Sequence, residues 1–187
     1  MSLKLTYDIV GKRNAVGISD RDRQMLEFLW RHRVATFRTL HTLFYDPIKP
    51  RTCYNRLNKL RKKGFVQTKG LDGLYQHKYW CLDKRGMAYL IQVKGEIFKT
   101  MGFAPQSLAH DHFASCVLLG DWYKKLPAGA SIITEQELLS LDLSSVISGF
   151  QNESKRRPDG LWKFNIGSEK TFVALEVELH AKSDNDY

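Results

Sequence analysis

The sequence predicts an α+β protein in two parts, with helices and a β-hairpin in the first half and a helix followed by strands in the second. The first observation is periodicity: apolar residues recur at helical spacing over residues 19–63 and alternate over residues 173–182. The second is charge. Residues 1–70 carry 16 Lys and Arg against 5 Asp and Glu, a net +11, whereas the whole chain carries +9. This asymmetry predicts a nucleic-acid-binding module joined to a segment of different chemistry.

The composition excludes several classes of protein. The first residues, "MSLKLTYDIVGKRN", lack the apolar segment that a signal peptide contains. No apolar run approaches the roughly 18 residues that a membrane helix needs. The three cysteines (Cys53, Cys81 and Cys116) form no CxxC pair, which argues against a disulfide framework or a zinc ribbon. We therefore expect a cytoplasmic protein without membrane contact.

Two helices are predicted first. "SDRDRQMLEFLWRHR" begins with Ser19 as a helix cap and places acids in its first turn. "TFRTLHTLFY" begins with Thr36 as a cap. The predicted apolar stripes consist of Met25, Leu26, Leu29 and Trp30 in the first helix and Phe37, Leu40, Leu43 and Phe44 in the second.

A third helix, "PRTCYNRLNKLRKKG", opens at Pro50 and stops at Gly64. Its apolar residues, Cys53, Leu57 and Leu60, recur at helical spacing and predict the inward stripe. The rest of the helix contains no acid, whereas a solvated helix face normally mixes acids with bases. Arg, Lys and Asn contact phosphates and base edges, so we expect this face to bind double-stranded DNA. The predicted contacts are Arg51, Thr52, Asn55, Arg56, Asn58, Lys59, Lys62 and Lys63.

A β-hairpin follows in "FVQTKGLDGLYQHKYWCL", where Asp72-Gly73 is a turn signal between apolar runs. Three helices followed by a hairpin is the plan of the winged helix-turn-helix, whose third helix enters the major groove. Lys69, with His77 or Lys78, would lie on the wing near phosphates. We assign residues 1–18 to a basic N-terminal arm and residues 19–95 to the DNA-binding domain. Its last segment, "DKRGMAYLIQV", is predicted as a helix that closes the domain or pairs two of them.

The second part begins with a predicted helix, "SLAHDHFASCVLLGDWYKKL", with Phe113, Val117, Leu118 and Trp122 inward. His110 and His112 lack the i, i+4 spacing of helical zinc ligands, which favours a capping or packing role. Two strands are predicted in "RPDGLWKF" and "TFVALEVEL". Alternation along the second strand places Glu176 and Glu178 on one face.

These segments resemble the replication-relaxation family of bacterial plasmids and mobile elements. The resemblance covers nearly all of residues 19–187 and is carried by "DRDRQMLEFLWRHR", "RLNKLRKKGFV", "YWCLDKRGMAYL", "RPDG" and "ALEVELHAKS". It implies a winged helix followed by a restriction-endonuclease-like α/β domain of the PD-(D/E)XK type over residues 96–187. We expect that domain to be incomplete at its C-terminus, because the chain stops as the helix after the second acid begins.

The same resemblance implies a catalytic site. Asp159 matches the acid of "PD" and Glu176 the second acid, whereas Glu178 stands where the family pattern of the nuclease core has Lys. Asp159, Glu176 and Glu178 would then converge on Mg²⁺, and Lys182 could supply the missing cation. Glu135 or Glu137 could add a further acid. Such a site is either a live nuclease centre or a vestigial one.

The sequence therefore predicts a sequence-specific double-stranded DNA-binding protein in replication, mobilisation or transcriptional control of a plasmid or mobile element. One alternative is a Mg²⁺-dependent endonuclease that nicks DNA with the carboxylates. The other is a non-catalytic relaxosome adaptor that contacts replication or mobilisation proteins. We also expect a homodimer on a palindromic site. Its pairing surface would be the helix of Met87, Tyr89, Leu90 and Ile91 or the helix of Phe113 and Trp122, although both helices could equally belong to the intramolecular core.

Overall fold

The computed structural model describes residues 17–70, 78–94, 107–120, 126–139, 157–167 and 169–178. Most of the predicted basic arm, the hairpin turn at Asp72-Gly73, His77, Trp122 and Lys182 lie outside the described residues. The helices are α1 (Asp20–His32), α2 (Phe37–Phe44), α3 (Pro50–Lys62), α4 (Lys84–Lys94), α5 (Leu108–Leu119) and α6 (Glu135–Leu138). The strands are β1 (Val34–Thr36), β2 (Val66–Gly70), β3 (Lys78–Leu82), β4 (Ala130–Thr134), β5 (Gly160–Ile166) and β6 (Glu169–Leu175).

The predicted beginnings of the first three helices are confirmed. Ser19 caps α1 in a reciprocal capping box with Asp22, and the Thr36 side chain caps α2 by accepting from the Thr39 amide. Pro50 occupies the first turn of α3, where its missing amide proton costs no hydrogen bond. Gly64 follows α3 with a φ of +75°, a conformation that glycine adopts without steric cost.

The first sheet has the antiparallel strand order β1-β3-β2. The pairing of β2 with β3 confirms the predicted hairpin, with Gly70 opposite Lys78. α4 packs beside this hairpin, where Tyr89 meets Phe65 edge to face with ring centroids 6.1 Å apart. Met87, Tyr89 and Leu90 are buried within the chain, so this surface of α4 belongs to the intramolecular core. The homodimer stays a prediction, which the mass of the chain in light scattering tests.

The second sheet has the antiparallel order β4-β5-β6, and α5 packs on it. β5 and β6 are neighbours as predicted, with Gly160 opposite Leu175. α5 lies close to β5 at Gly160, because a Cβ placed on this glycine would lie 2.6 Å from a methyl carbon of Leu118. Trp162 Nε1 also donates to the Leu118 carbonyl at 3.0 Å.

The predicted inward face of α5 is wrong in part. Leu118 is buried as expected, but Phe113 and Val117 are 49% and 47% exposed. Burial falls instead on Asp111, Ala114, Ser115, Leu118 and Leu119. Two of these, Asp111 and Ser115, are polar and bind Arg33 and the His32 carbonyl of the first half of the chain. The buried face of α5 is therefore rotated from the face that its large apolar residues predict.

Apolar alternation along the last strand predicts a buried face that includes Val173, Leu175 and Val177. The prediction is confirmed in part. Leu175, at the end of β6, is buried, and Val177 packs against the core. Val173 is 43% exposed, because alternation predicts which residues share a face but does not ensure that another layer covers the whole face.

The two halves share one hydrophobic core. Leu118, Leu119, Ile132 and Leu175 from the second half belong to the same buried cluster as the apolar residues of α1, α3 and the first sheet. The result is a mixed α+β structure with two small antiparallel sheets. Within the described residues, none of the helices combines the length and the apolar character required to cross a membrane.

Candidate nucleic-acid interface

The helix α3 is fixed to the protein by its predicted apolar stripe. Cys53, Leu57 and Leu60 are at most 1% exposed. Because these residues recur at i, i+4 and i+7, their burial directs the opposite side of the helix to solvent. The rotation of α3 about its axis is therefore as the sequence predicts.

The outer face of α3 is basic and contains no acid along the helix. Its exposed side chains offer positive charge and hydrogen-bond donors, which suit phosphates and base edges. Asn58 is half-buried. The predicted contacts that are exposed are Arg51, Thr52, Asn55, Lys59, Lys62 and Lys63.

Arg56 departs from this pattern. Its Nε donates to Asp22 Oδ1 at 2.8 Å, and its terminal nitrogen bonds to Asp22 Oδ2 and to the Gly17 carbonyl, the latter at 2.8 Å. The carboxylate of Asp22 raises the pKa of Arg56 above its already high value. The predicted DNA contact of Arg56 therefore has a competitor inside the protein, and this partner lies 34 residues away in sequence.

The hairpin that follows α3 carries two of the predicted cations. Lys69 is half-buried on β2 opposite Tyr79, while Lys78 at the start of β3 is exposed. α3 leads into β2 through Gly64 and Phe65, so helix and hairpin follow each other directly. The described strands thus place Lys78 toward the predicted wing.

The three predicted metal ligands do not form a metal site. Asp159 directly precedes β5, and its Oδ2 accepts from the Val177 amide at 2.6 Å. Glu176 and Glu178 follow the end of β6 and are exposed. Among the described residues, no three His, Cys, Asp or Glu side chains lie close enough to hold a metal ion. Asp159 therefore lies beside the segment that carries Glu176 and Glu178, but its carboxylate bonds to the backbone of that segment, and the catalytic role of the three acids stays a prediction.

A buried charged cluster that the sequence reasoning missed lies beside Asp159. Arg33 is 4% exposed, and its guanidinium lies 3.4 Å from Asp111 Oδ1 and 3.1 Å from Glu135 Oε2. Its Nε also donates to Gln136 Oε1 at 3.2 Å. His110 continues the cluster, with Nε2 3.2 Å from Asp159 Oδ2. We call Arg33, His110, Asp111, Glu135 and Asp159 the Arg33 cluster.

Burial has the largest effect on the pKa values of two acids in this cluster, Asp111 and Glu135. It raises the pKa of Asp111, although Arg33 and His110 oppose the rise. Burial likewise raises the pKa of Glu135; Arg33 opposes this, whereas Asp111 and Asp159 add to it. A buried carboxylate is tolerated here because a cation lies next to it. Arg33 thus compensates part of the negative charge of Asp111 and Glu135, whereas Asp159 contacts His110 and the Val177 amide.

The predicted further acids and the two histidines have structural partners. Glu137 closes a capping box with Thr134 at the start of α6, and Arg31 bonds to its Oε2 at 3.0 Å. His112 packs against the ring of Tyr79, with centroids 5.0 Å apart.

The replication-relaxation family model matches residues 26–178, more than four-fifths of the chain. The chain belongs to the replication-relaxation family. No curated protein and no solved structure matches it significantly.

The replication-relaxation match includes all of α3, both sheets and the Arg33 cluster. It begins inside α1, after Asp22, and ends at Glu178. The family assignment therefore concerns both halves of the shared core and not the helical half alone.

Proposed function

We propose that this protein is a sequence-specific double-stranded DNA-binding protein that acts in replication, mobilisation or transcriptional control of a plasmid or mobile element. The observation that carries the proposal is the outer face of α3, which is exposed, basic and free of acids. A helix of this kind lowers the free energy of a duplex complex by releasing counterions from phosphates. Its asparagines supply the donors and acceptors that distinguish bases.

The order of elements supports a winged helix-turn-helix as the binding module. The chain runs α1-β1-α2-α3-β2-β3, and the strands assemble in the order β1-β3-β2. In the winged helix plan the third helix lies in the major groove and the hairpin lies beside it. We assign these roles to α3 and to the β2-β3 hairpin, with Lys69 and Lys78 near phosphates.

Membership of the replication-relaxation family supports a role in plasmid or mobile-element replication or mobilisation. For the second half we propose a non-catalytic role, as an adaptor for replication or mobilisation proteins. The observation favouring it is the Arg33 cluster, where a guanidinium already neutralises Asp111 and Glu135. Asp159 is likewise bound to the Val177 amide.

The experiment measures binding of the full chain by fluorescence anisotropy at several salt concentrations. One probe is a duplex that the unaltered chain selects from a randomised pool, and the other is its scrambled counterpart. We expect Asn55→Ala to cost about 1–3 kcal/mol of binding free energy on the selected duplex alone. Lys62→Ala should weaken both complexes alike and reduce the salt slope by about one unit.

Lys170→Ala is the matched control, because Lys170 is an exposed lysine on β6 of the other sheet. It removes the same charge as Lys62→Ala but should leave both affinities and the salt slope unchanged. The proposal is refuted if the folded, unaltered chain binds neither duplex. It is also refuted if Lys170→Ala and Lys62→Ala have equal effects, since binding would then follow total charge and not α3.

A further inference from the structure

The guanidinium of Arg56 is bound inside the protein, although Arg56 belongs to α3. It makes a two-pronged contact with Asp22: Nε reaches Oδ1 at 2.8 Å and the terminal nitrogen reaches Oδ2. The same terminal nitrogen donates to the Gly17 carbonyl at 2.8 Å. Two parallel hydrogen bonds between a planar fork and a carboxylate define an orientation as well as a distance. This contact therefore has a direction that apolar packing lacks.

Asp22 is itself rigidly held. Its side chain is 1% exposed, and its Oδ2 accepts from the Ser19 amide at 2.7 Å and from Ser19 Oγ at 2.6 Å. Burial alone would raise the pKa of Asp22, but the hydrogen bonds from Arg56 and Ser19 outweigh it and lower the pKa. The carboxylate therefore joins the capped start of α1 to the middle of α3.

The position of Arg56 on α3 gives this link a consequence for recognition. Arg56 directly follows Asn55, and Asn58 lies two residues further on. The inward contacts of α3 come from Cys53, Leu57 and Leu60, whose burial sets the rotation of the helix about its axis but defines its sliding and its angle on α1 less strictly. A hydrogen bond to a base edge tolerates little misplacement, since it weakens steeply with angle and distance.

We propose that Arg56 is a positioning residue, which through Asp22 sets the orientation of α3 on α1 and thereby aligns Asn55 and Asn58 with base edges. This inference rests on the proposed DNA-binding function. It assigns sequence discrimination to a partly buried ion pair that does not touch DNA.

The test compares Arg56→Ala, Asp22→Asn and the double variant with the unaltered chain. Each protein is titrated against the selected duplex and its scrambled counterpart, well below its melting temperature and with folding verified by circular dichroism. The quantity of interest is the ratio of the two affinities. We expect each single variant to lower this ratio about tenfold, the equivalent of one lost base contact. The double variant should be no worse than either single one, because both remove the same link.

Asp22→Asn separates positioning from direct contact. If Arg56 bound a phosphate in the complex, Asp22→Asn would release its guanidinium and strengthen binding to both duplexes. Arg56→Ala would then also reduce the salt slope by about one unit. Either result overturns the proposal, which instead requires both variants to lose discrimination with the salt slope unchanged.

Two further variants separate positioning from a loss of stability. Arg23→Ala removes another arginine that forms an ion pair, with Glu27 at 2.6 Å, but within α1 alone. It should leave the affinity ratio unchanged. Arg56→Lys keeps the charge and loses the fork, so it should lower the ratio as Arg56→Ala does.

The failure of this inference is distinguishable from that of the proposed function. If the unaltered chain discriminates and the folded Arg56→Ala protein discriminates equally well, the positioning role alone is refuted. If the unaltered chain binds neither duplex, the DNA-binding function is refuted and the positioning role with it.

Discussion

His32 is buried in the last turn of α1. The centroid of its ring lies 4.4 Å from the centroid of the Phe28 ring. Among the described residues, its Nδ1 has no hydrogen-bond partner, while its carbonyl accepts from Ser115 Oγ at 3.3 Å. Burial, with a smaller contribution from the nearby charge of Arg31, lowers the pKa of His32 well below its ordinary value of 6.5. The folded chain therefore holds this imidazole neutral at a pH where the unfolded chain protonates it.

This difference predicts a loss of stability on acidification. The contribution of neutral His32 is fully present above about pH 6.5 and is lost as the pH falls below that value. Between pH 7.5 and pH 5.5 we expect His32 to remove roughly 1 kcal/mol from the free energy of unfolding.

Urea unfolding of the unaltered chain and of His32→Leu at both pH values measures this loss. The variant should lack it, while the opposing titrations of Asp111 and Glu135, whose pKa values are raised, are common to both proteins. Equal pH dependence in the two proteins would show that His32 does not titrate on unfolding.

At the scale of elements, the end of α1 is tied to the second half by two arginines. Arg31 donates to the Ile132 carbonyl and to Glu137 Oε2, both at 3.0 Å. Arg33, with a φ of +60°, reaches Asp111 on α5 and Glu135 on α6. One helix end therefore holds β4, α5 and α6 through contacts that are mostly buried.

Removal of the Arg33 guanidinium should destabilise the protein strongly, since it leaves the buried carboxylate of Asp111 and the half-buried carboxylate of Glu135 without this cation. We expect Arg33→Met to cost about 3–5 kcal/mol in urea unfolding. Arg23→Ala, which breaks an ion pair that is partly exposed, should cost about 0.5 kcal/mol or less.

A double variant tests whether uncompensated charge causes the loss of stability in Arg33→Met. Arg33→Met with Asp111→Leu should be more stable than Arg33→Met alone, because one of the unpaired carboxylates is gone. If the second substitution adds its own full cost, the loss in Arg33→Met comes from packing and not from uncompensated charge.

At the scale of the whole molecule, the shared core joins a basic helical half to a second half in which Asp111, Glu135 and Asp159 have partners. Asp159 is held by Val177 and His110, and Asp111 and Glu135 by Arg33. We therefore expect supercoiled plasmid to stay uncut by the full chain in the presence of Mg²⁺. Agarose gels with Mg²⁺ and with a chelator measure this.

Asp159→Ala is the decisive comparison for cleavage. Nicking that needs Mg²⁺ and disappears in the folded Asp159→Ala protein would establish the endonuclease alternative and refute the adaptor role. Nicking that persists in that variant would indicate a contaminating nuclease, since Asp159 is the acid implied by the family resemblance.

The sequence by itself determined the elements of the helical half and the rotation of α3. The helix ends are marked by Ser19, Thr36, Pro50 and Gly64. These residues act on neighbours at most a few positions away, so a short stretch of sequence is enough to predict them. The burial of the α3 stripe followed from periodicity for the same reason. Motifs of this local kind also indicated the replication-relaxation family, which the family match confirms.

The tertiary structure alone decided which charged groups are engaged inside the protein. Arg56 and Lys59 look equivalent on a helical projection, yet the guanidinium of Arg56 is held by Asp22 across 34 positions. Arg33 meets Asp111 across 78 positions and Gln136 across 103. Periodicity reports which way a side chain points from its own helix, whereas the partner it finds depends on how distant segments pack. For the same reason, the outward turn of Phe113 and the bond from the Val177 amide to Asp159 were decided by packing alone.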